Sequence, residues 1–382
     1  MDYIVDVIQS TGQMVVGYIL PFLFVLTIVV FFHELGHFLV ARWRGVHVIA
    51  FSVGFGPELI GFNDKQGTRW KICAVPLGGY VKFLGDENVA SVADEAALAN
   101  LSEIDKNRAF HNKSLFSRSL IVVAGPVANF LLAIVIFSSL FGLYGKTVIS
   151  PRVDGVTEGS AAQIAGFQQG DLILGIDGHV IQGFMDVQRL VSGQAEEQLK
   201  FKVERGGTTI EIVATPRRTT TTDQFKNTIE IGVLGIQRNP ERDELRTIRF
   251  GPVEAVVAGT QETWFVTVRS LSAIYRIITN RDSADQLGGP IRIAKMSGQV
   301  ATLGLGALIT LAAYLSISIG MLNLFPVPML DGGHLLFYAI EAVIRRPLSE
   351  RFQEYGFRVG LLAILALMVF TTWNDISDFY RN

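Results

Sequence analysis

Two histidines four residues apart, with a glutamate beside the first, stand in the segment His33-Glu34-Leu35-Gly36-His37. On a helix, positions i and i+4 share a face, so His33 and His37 can offer imidazole nitrogens to one tetrahedral zinc. Glu34 falls on an adjacent face, within reach of a water molecule at the metal, where a carboxylate serves as general base. The flanking residues, 15–32 before the motif and 38–40 after it, are largely apolar. Two histidines and a glutamate are expensive to bury in such a span unless they face a partner or a water-filled cavity. The motif therefore reads as a site rather than as a polar cross-link between helices.

A catalytic zinc takes three protein ligands and keeps a fourth position open. The third ligand should come from another membrane-depth segment, and residues 323–334 read NLFPVPMLDGGH. Asp331, next to glycines that let the backbone turn sharply, is the expected ligand, and His334 is the weaker competitor. Pro326 and Pro328, expected along with Asn323 to bind substrate, break the helix and leave carbonyls unpaired. At membrane depth that is tolerated only where the backbone lines a cavity or is buried in protein.

These residues resemble the site-2 protease family of intramembrane zinc metalloproteases, and within it the bacterial regulator-of-sigma-E protease type. The resemblance runs from end to end. It rests on His33 to His37, on Asn323, Pro326, Pro328, Asp331 and Gly332 in their segment, and on Gly125-Pro-Val-Ala-Asn129. It implies that His33, His37 and Asp331 bind Zn2+, that Glu34 activates water, and that Asn323 holds the substrate strand near the scissile bond. The implied substrates are the transmembrane segments of single-span proteins, an anti-sigma factor or signal-peptide remnants, cut in regulated intramembrane proteolysis. Taken on their own, Gly125 and Asn129 equally suit close helix packing with an interhelical hydrogen bond.

The elements that must position these groups are membrane spans. The 382 residues are 49% hydrophobic and 18% charged, with a mean hydropathy of +0.37, too apolar for a soluble domain of this size. A net charge of −2 without a dense basic stripe gives no reason to expect nucleic acid as a partner. Cys73 is the single cysteine, so no intramolecular disulfide forms. The amino terminus lacks a basic n-region and a small-residue cleavage site, so its apolar run is expected to be retained. Apolar stretches near residues 15–40, 119–144, 302–324 and 356–372 are each about long enough to cross the lipid bilayer. Arg42, Arg44, Lys113 and Arg118 flank the first connection and Arg345, Arg346 and Arg351 the third, whereas residues 1–41 hold no Lys or Arg. The positive-inside rule then puts both termini, and the long stretch after Lys146, on the periplasmic side of a bacterial inner membrane.

Residues 46–55 and 70–83 alternate around glycines and read as a hairpin that dips into the membrane beside the site. Its edge at Gly79, Tyr80 and Val81 is placed to take an extended substrate by strand addition, matching the family's re-entrant β-loop. Residues 159–178 are similar to a bacterial PDZ domain, which binds a peptide C-terminus. A single such domain is expected, where the best-known relatives carry two. Trp264, Val268, Leu271, Tyr275 and Ile278 recur at helical spacing and suggest a helix on the membrane surface.

The expected fold is an α-helical membrane protein of about four transmembrane helices, with a re-entrant β-hairpin and an inserted extracytoplasmic PDZ-like α+β domain. The chain divides into a first span with HExxH (1–45), a cytoplasmic-side loop with the hairpin (46–112), a second span (113–145) and the PDZ-like domain with its extension (146–250). An amphipathic interfacial segment (251–300), a third span with the metal-ligand loop (301–344) and a fourth span with the C-terminus (345–382) follow. The rival reading is a non-catalytic PDZ-containing membrane scaffold with a structural zinc. Glu34 argues against it, because a closed structural site has no use for a carboxylate beside an open coordination position.

Overall fold

The computed structural model describes residues 15–86, 100–222, 228–238, 246–279, 284 and 288–381. The first fourteen residues and Asn382, the chain ends for which an extracytoplasmic side is expected, lie outside the described residues. The chain forms two compact units. One comprises residues 1–138, 256–270 and 287–379, and the other residues 139–255, 271–286 and 380–382.

In the first unit a π-helical turn, Val15–Ile19, leads directly into α1 (Leu20–Trp43), which holds a proline in its first turn. Two strands follow, β1 (Val48–Asn63) and β2 (Arg69–Phe83). They do more than form one hairpin. Near the turn, Glu58, Ile60 and Asn63 pair with Cys73, Ile72 and Arg69; farther back, Val48, Phe51 and Val53 pair with Phe83, Val81 and Gly79. Ala50 to Val53 also align with Arg69 to Ile72, so this stretch of β1 has β2 neighbours on both sides. The bend in β1 falls at Gly54 and Gly56, whose φ values of 88° and 82° suit glycine. Phe51 stacks on Trp70 with ring centroids 4.3 Å apart, and Phe38 of α1 meets both rings, which seats the sheet against α1. Among the described residues no further strand pairs with Gly79–Phe83, so that edge is open. Helix α2 (Leu115–Tyr144) then crosses with Pro126 in its interior.

The second unit is built on strands β3 (Lys146–Val148) and β4 (Gly155–Val156), helix α3 (Ala161–Ala165), β5 (Leu172–Ile176), β6 (His179–Val180), helix α4 (Phe184–Ser192), β7 (Leu199–Arg205) and β8 (Thr208–Ala214). Strands β9 (Arg217–Thr222), β10 (Thr228–Val233), β11 (Ile236–Gln237) and β12 (Arg246–Ile248) complete it. Its main sheet has the order β6-β5-β7-β8. Alternate residues Leu199, Phe201 and Val203 of β7 are buried, as the period of two requires, and join Ile173, Ile176, Val187 and Val191 in one core. Leu234 belongs to that core and β11 pairs with β4, so this unit runs past Arg217. Arg205 donates from Nε and Nη2 to the two oxygens of buried Asp171, both at 2.7 Å. Strands β3 and β12 pair at its root, Val148 opposite Arg246.

The remaining helices are α5 (Pro252–Ile278), α6 (Pro290–Ala301), α7 (Leu305–Asn323), α8 (Asp331–Ile344) and α9 (Glu350–Arg381). The expected amphipathic segment is thus two helices. Trp264, Val268, Leu271, Tyr275 and Ile278 of α5 are exposed, while Glu262 lies 3.4 Å from the Tyr314 hydroxyl of α7 and a Cβ on Gly259 would meet Ser138 of α2. Four helices among the described residues are long and apolar enough to cross a membrane: Val15–Trp43, Leu115–Tyr144, Leu305–Asn323 and Arg351–Ser377. They coincide with the four apolar stretches of the sequence.

Candidate metal centre and active site

One helical turn separates His33 from His37, and their Nε2 atoms stand 3.2 Å apart on the face of α1 that meets α2 and α8. Asp331, the first residue of α8, closes the cluster, its Oδ2 3.2 Å from His33 Nε2 and its Oδ1 3.5 Å from His37 Nε2. Candidate ligand atoms of all three residues lie within 4.8 Å of one another. Asp331 Oδ2 is buried and has no partner in hydrogen-bonding geometry. Two imidazole nitrogens facing a buried carboxylate make a donor set that fits a divalent zinc.

Glycines on both helices make this approach possible. A Cβ on Gly36 would sit 2.3 Å from the Ala124 carbonyl oxygen of α2, and a Cβ on Gly125 would sit 2.2 Å from His37 Nε2 and 2.9 Å from His33 Cε1. His37 Nδ1 is 2.9 Å from the Ile121 carbonyl, and His33 Nδ1 is 3.3 Å from the Asn129 side chain. Gly125 and Asn129, which the sequence leaves open to simple packing, therefore face the two imidazoles.

The loop before Asp331 folds tightly over the first turn of α8. A Cβ on Gly332 would lie 2.2 Å from the Phe325 carbonyl, and one on Gly333 would lie 2.4 Å from that of Val327. Met329 takes φ 83°, a left-handed conformation that a linear side chain rarely adopts, two residues before the ligand. Helix α9 supports the loop from behind, where a Cβ on Gly360 would stand 2.1 Å from the Pro328 carbonyl.

A cavity of about 280 Å3 opens at the cluster. It is lined by His33, Glu34, His37, Asn323, Asp331 and His334, and by Gly79, Tyr80 and Val81 from the open edge of β2. The Val81 backbone N–H hydrogen-bonds to the Glu34 carboxyl, and Gly79 is close enough to α1 that a Cβ would touch Glu34 Cγ at 3.3 Å. Asn323 ends α7 with its Nδ2 3.5 Å from His33 Nε2. Pro326 and Pro328 do not line the cavity; they shape the loop that delivers Asp331. His334 lines it but stands outside the ligand cluster, with its ring 5.5 Å from Phe357. The pair of half-buried Arg118 on α2 and buried Glu341 on α8, at 3.0 Å, ties the ligand helix to α2 and is not readable from either segment alone.

A family model described as peptidase family M50 matches residues 21–367. The chain belongs to peptidase family M50. Full-length relatives agree with that membership. A provisionally named zinc metalloprotease of Agrobacterium fabrum is 51% identical over 98% of this chain and 99% of its own length. One of Brucella suis is 47% identical over 96% and 97%, and the metalloprotease MmpA of Caulobacter vibrioides is 40% identical over 94% of each. With four apolar helices and a His33, His37 and Asp331 cluster placed for the metal, this M50 member is a multi-pass membrane zinc metalloprotease.

Proposed function

We propose that this protein is an intramembrane endopeptidase that cleaves the transmembrane segments of single-span proteins, such as an anti-sigma factor or signal-peptide remnants, in regulated intramembrane proteolysis. The observation that carries the proposal is the shared cavity, in which Glu34, the three metal-ligating residues and the open edge of β2 meet.

His33, His37 and Asp331 would hold zinc. When bound, zinc supplies Lewis acidity toward a carbonyl oxygen and lowers the pKa of water. Glu34 takes the proton from the attacking water and delivers it to the departing amine. Peptide bonds inside a helix are shielded by their own hydrogen bonds, so the substrate must be held extended. Gly79, Tyr80 and Val81 supply the strand edge for that purpose, with Asn323 holding the substrate by its side-chain amide. The contact of Val81 with Glu34 puts this strand beside the general base.

The proposed setting is the bacterial inner membrane, with the second unit as a single PDZ-like domain in the periplasm. There it would exclude bulky substrates or bind a peptide C-terminus. The arrangement β4, α3, β5, β6, α4, β7 with β11 beside β4 supports the PDZ-like reading. The hairpin β1–β2 is read as re-entrant because its open edge lines the same cavity as His33, which lies within an apolar span.

Mapping cut sites by mass spectrometry in single-span proteins of known topology tests the proposal. About 27 Å of helix separates residue 15 from His33 at 1.5 Å per residue, so cuts should fall toward the cytoplasmic end of the substrate span. Consistent cuts in the periplasmic third, or only in soluble loops, would refute it.

A further inference from the structure

We propose that Asn129 is a positioning residue that fixes His33 for zinc binding by accepting a hydrogen bond from the His33 Nδ1–H through its side-chain oxygen. Both imidazoles turn Nε2 toward Asp331, so both turn Nδ1 away from it. A neutral imidazole that gives Nε2 to a metal carries its proton on Nδ1, and that N–H needs an acceptor. For His37 the acceptor is a backbone oxygen, that of Ile121 at 2.9 Å. For His33 the group within reach is the Asn129 side chain at 3.3 Å.

As placed, the amide turns its nitrogen to His33 Nδ1 and leaves Asn129 Oδ1 buried without a partner. A donor would then face the ring N–H while an acceptor stood idle in a buried site, an unfavourable arrangement on both counts. Exchanging the oxygen and nitrogen of the amide gives the ring N–H its acceptor and turns the NH2 to the position that Oδ1 now holds. Asn129 is wholly buried, so water offers no alternative partner. Its backbone is held as well: Ser316 Oγ of α7 donates to the Asn129 carbonyl at 2.8 Å, and a Cβ on Gly320 would be 3.0 Å from Asn129 Cβ. The two histidines thus differ in one testable respect, since the acceptor for His37 is backbone and the acceptor for His33 is a side chain.

The inference rests on the zinc site and not on proteolysis, so zinc affinity of the purified full-length protein tests it without substrate. Competition against a chelator would compare the unaltered protein with Asn129→Asp, which keeps an oxygen acceptor, and Asn129→Leu, which keeps the approximate shape without one. Asn129→Leu should weaken zinc binding about 10–100-fold, with Asn129→Asp binding at least as tightly as the unaltered protein. The absorption spectrum of the cobalt-substituted protein should change in the leucine variant alone. Unchanged affinity in Asn129→Leu would reduce Asn129 to helix packing, and a loss in Asn129→Asp equal to that in Asn129→Leu would mean that the amide nitrogen is what matters. Should the leucine variant fail to fold, Asn129→Asp decides alone, because it removes the donor and keeps the acceptor. Zinc binding as expected in a protein that cleaves nothing would refute the protease proposal and leave this one standing.

Discussion

Gly125 of α2 lies so close to His37 of α1 that a methyl group on it would stand 2.2 Å from the imidazole Nε2. No rotamer adjustment of a bound ring absorbs such an overlap, because His37 is also held at Nδ1 by the Ile121 carbonyl. Gly125→Ala should therefore abolish zinc binding while helix content stays unchanged, as measured by elemental analysis and circular dichroism. Gly142→Ala on the same helix, where the nearest atom to the new methyl is 3.5 Å away, should keep its full zinc content. Equal zinc in both variants would show that the α1–α2 packing at the site is looser than described.

The backbone at Met329 gives a second prediction. With φ at 83°, a β-branched residue there is strained by about 1–3 kcal/mol relative to glycine. Met329→Ile should lower thermal stability and zinc affinity together, because the strained turn sets the direction of Asp331. Met329→Gly should keep zinc affinity and match or exceed the unaltered stability. Thermal melts with and without a chelator compare the two; an isoleucine variant as stable as the glycine variant would contradict the assigned backbone.

Acid sensitivity of the β1–β2 turn follows from Asp64. Burial alone would raise its carboxyl, but hydrogen bonds from Trp70 Nε1, the Thr68 and Gln66 amides and Arg42 hold it at about 2. The folded value lies below the unfolded one of about 3.9, so its stabilisation is complete above the unfolded value and is lost as pH falls through about 2. After allowance for solvent screening the contribution is about 1 kcal/mol. Asp64→Asn should be less stable than the unaltered protein by this amount at pH 7, and the difference should vanish between about pH 4 and pH 2. A difference that grew on acidification would reverse the sign of the argument.

The metal ligands are legible in the sequence because they obey local rules. A helix places His33 and His37 on one face, and a carboxylate among glycines after two prolines marks where an apolar run stops. What surrounds them is not legible for an equally physical reason. His37 meets Ile121 across 84 residues and His33 meets Asn129 across 96, and helical periodicity reports which face is buried but not which helix covers it. Glycines 36, 125 and 360 carry no sign of the particular atoms that would collide with a side chain there. The glycine-rich alternation of residues 46–83 signals a hairpin, but its second alignment, Ala50 to Val53 beside Arg69 to Ile72, follows from bends that a period of two cannot encode.

The root of the second unit allows a direct test of substrate selection. Val148 and Arg246 are paired neighbours in β3 and β12, so residues 149–245 can be replaced by an Asn-Gly turn that closes a short hairpin. If the second unit excludes bulky substrates, as proposed, the shortened protein should cut substrates with intact extracytoplasmic domains and still bind about one zinc. Retained preference for trimmed substrates would assign exclusion to the helical unit instead.

Glu34 separates a protease from a metal-bearing scaffold, since it lines the cavity beside the ligands without belonging to the ligand cluster. The decisive measurement is zinc content and peptide-bond cleavage in the same purified preparations of unaltered protein and Glu34→Gln, with a single-span substrate in detergent or liposomes. The account predicts about one zinc per chain in both, with cleavage by the unaltered protein and at least a 1000-fold loss in the variant, in line with the removal of a general base. Cleavage by Glu34→Gln at a rate near that of the unaltered protein, with zinc still bound, would contradict it.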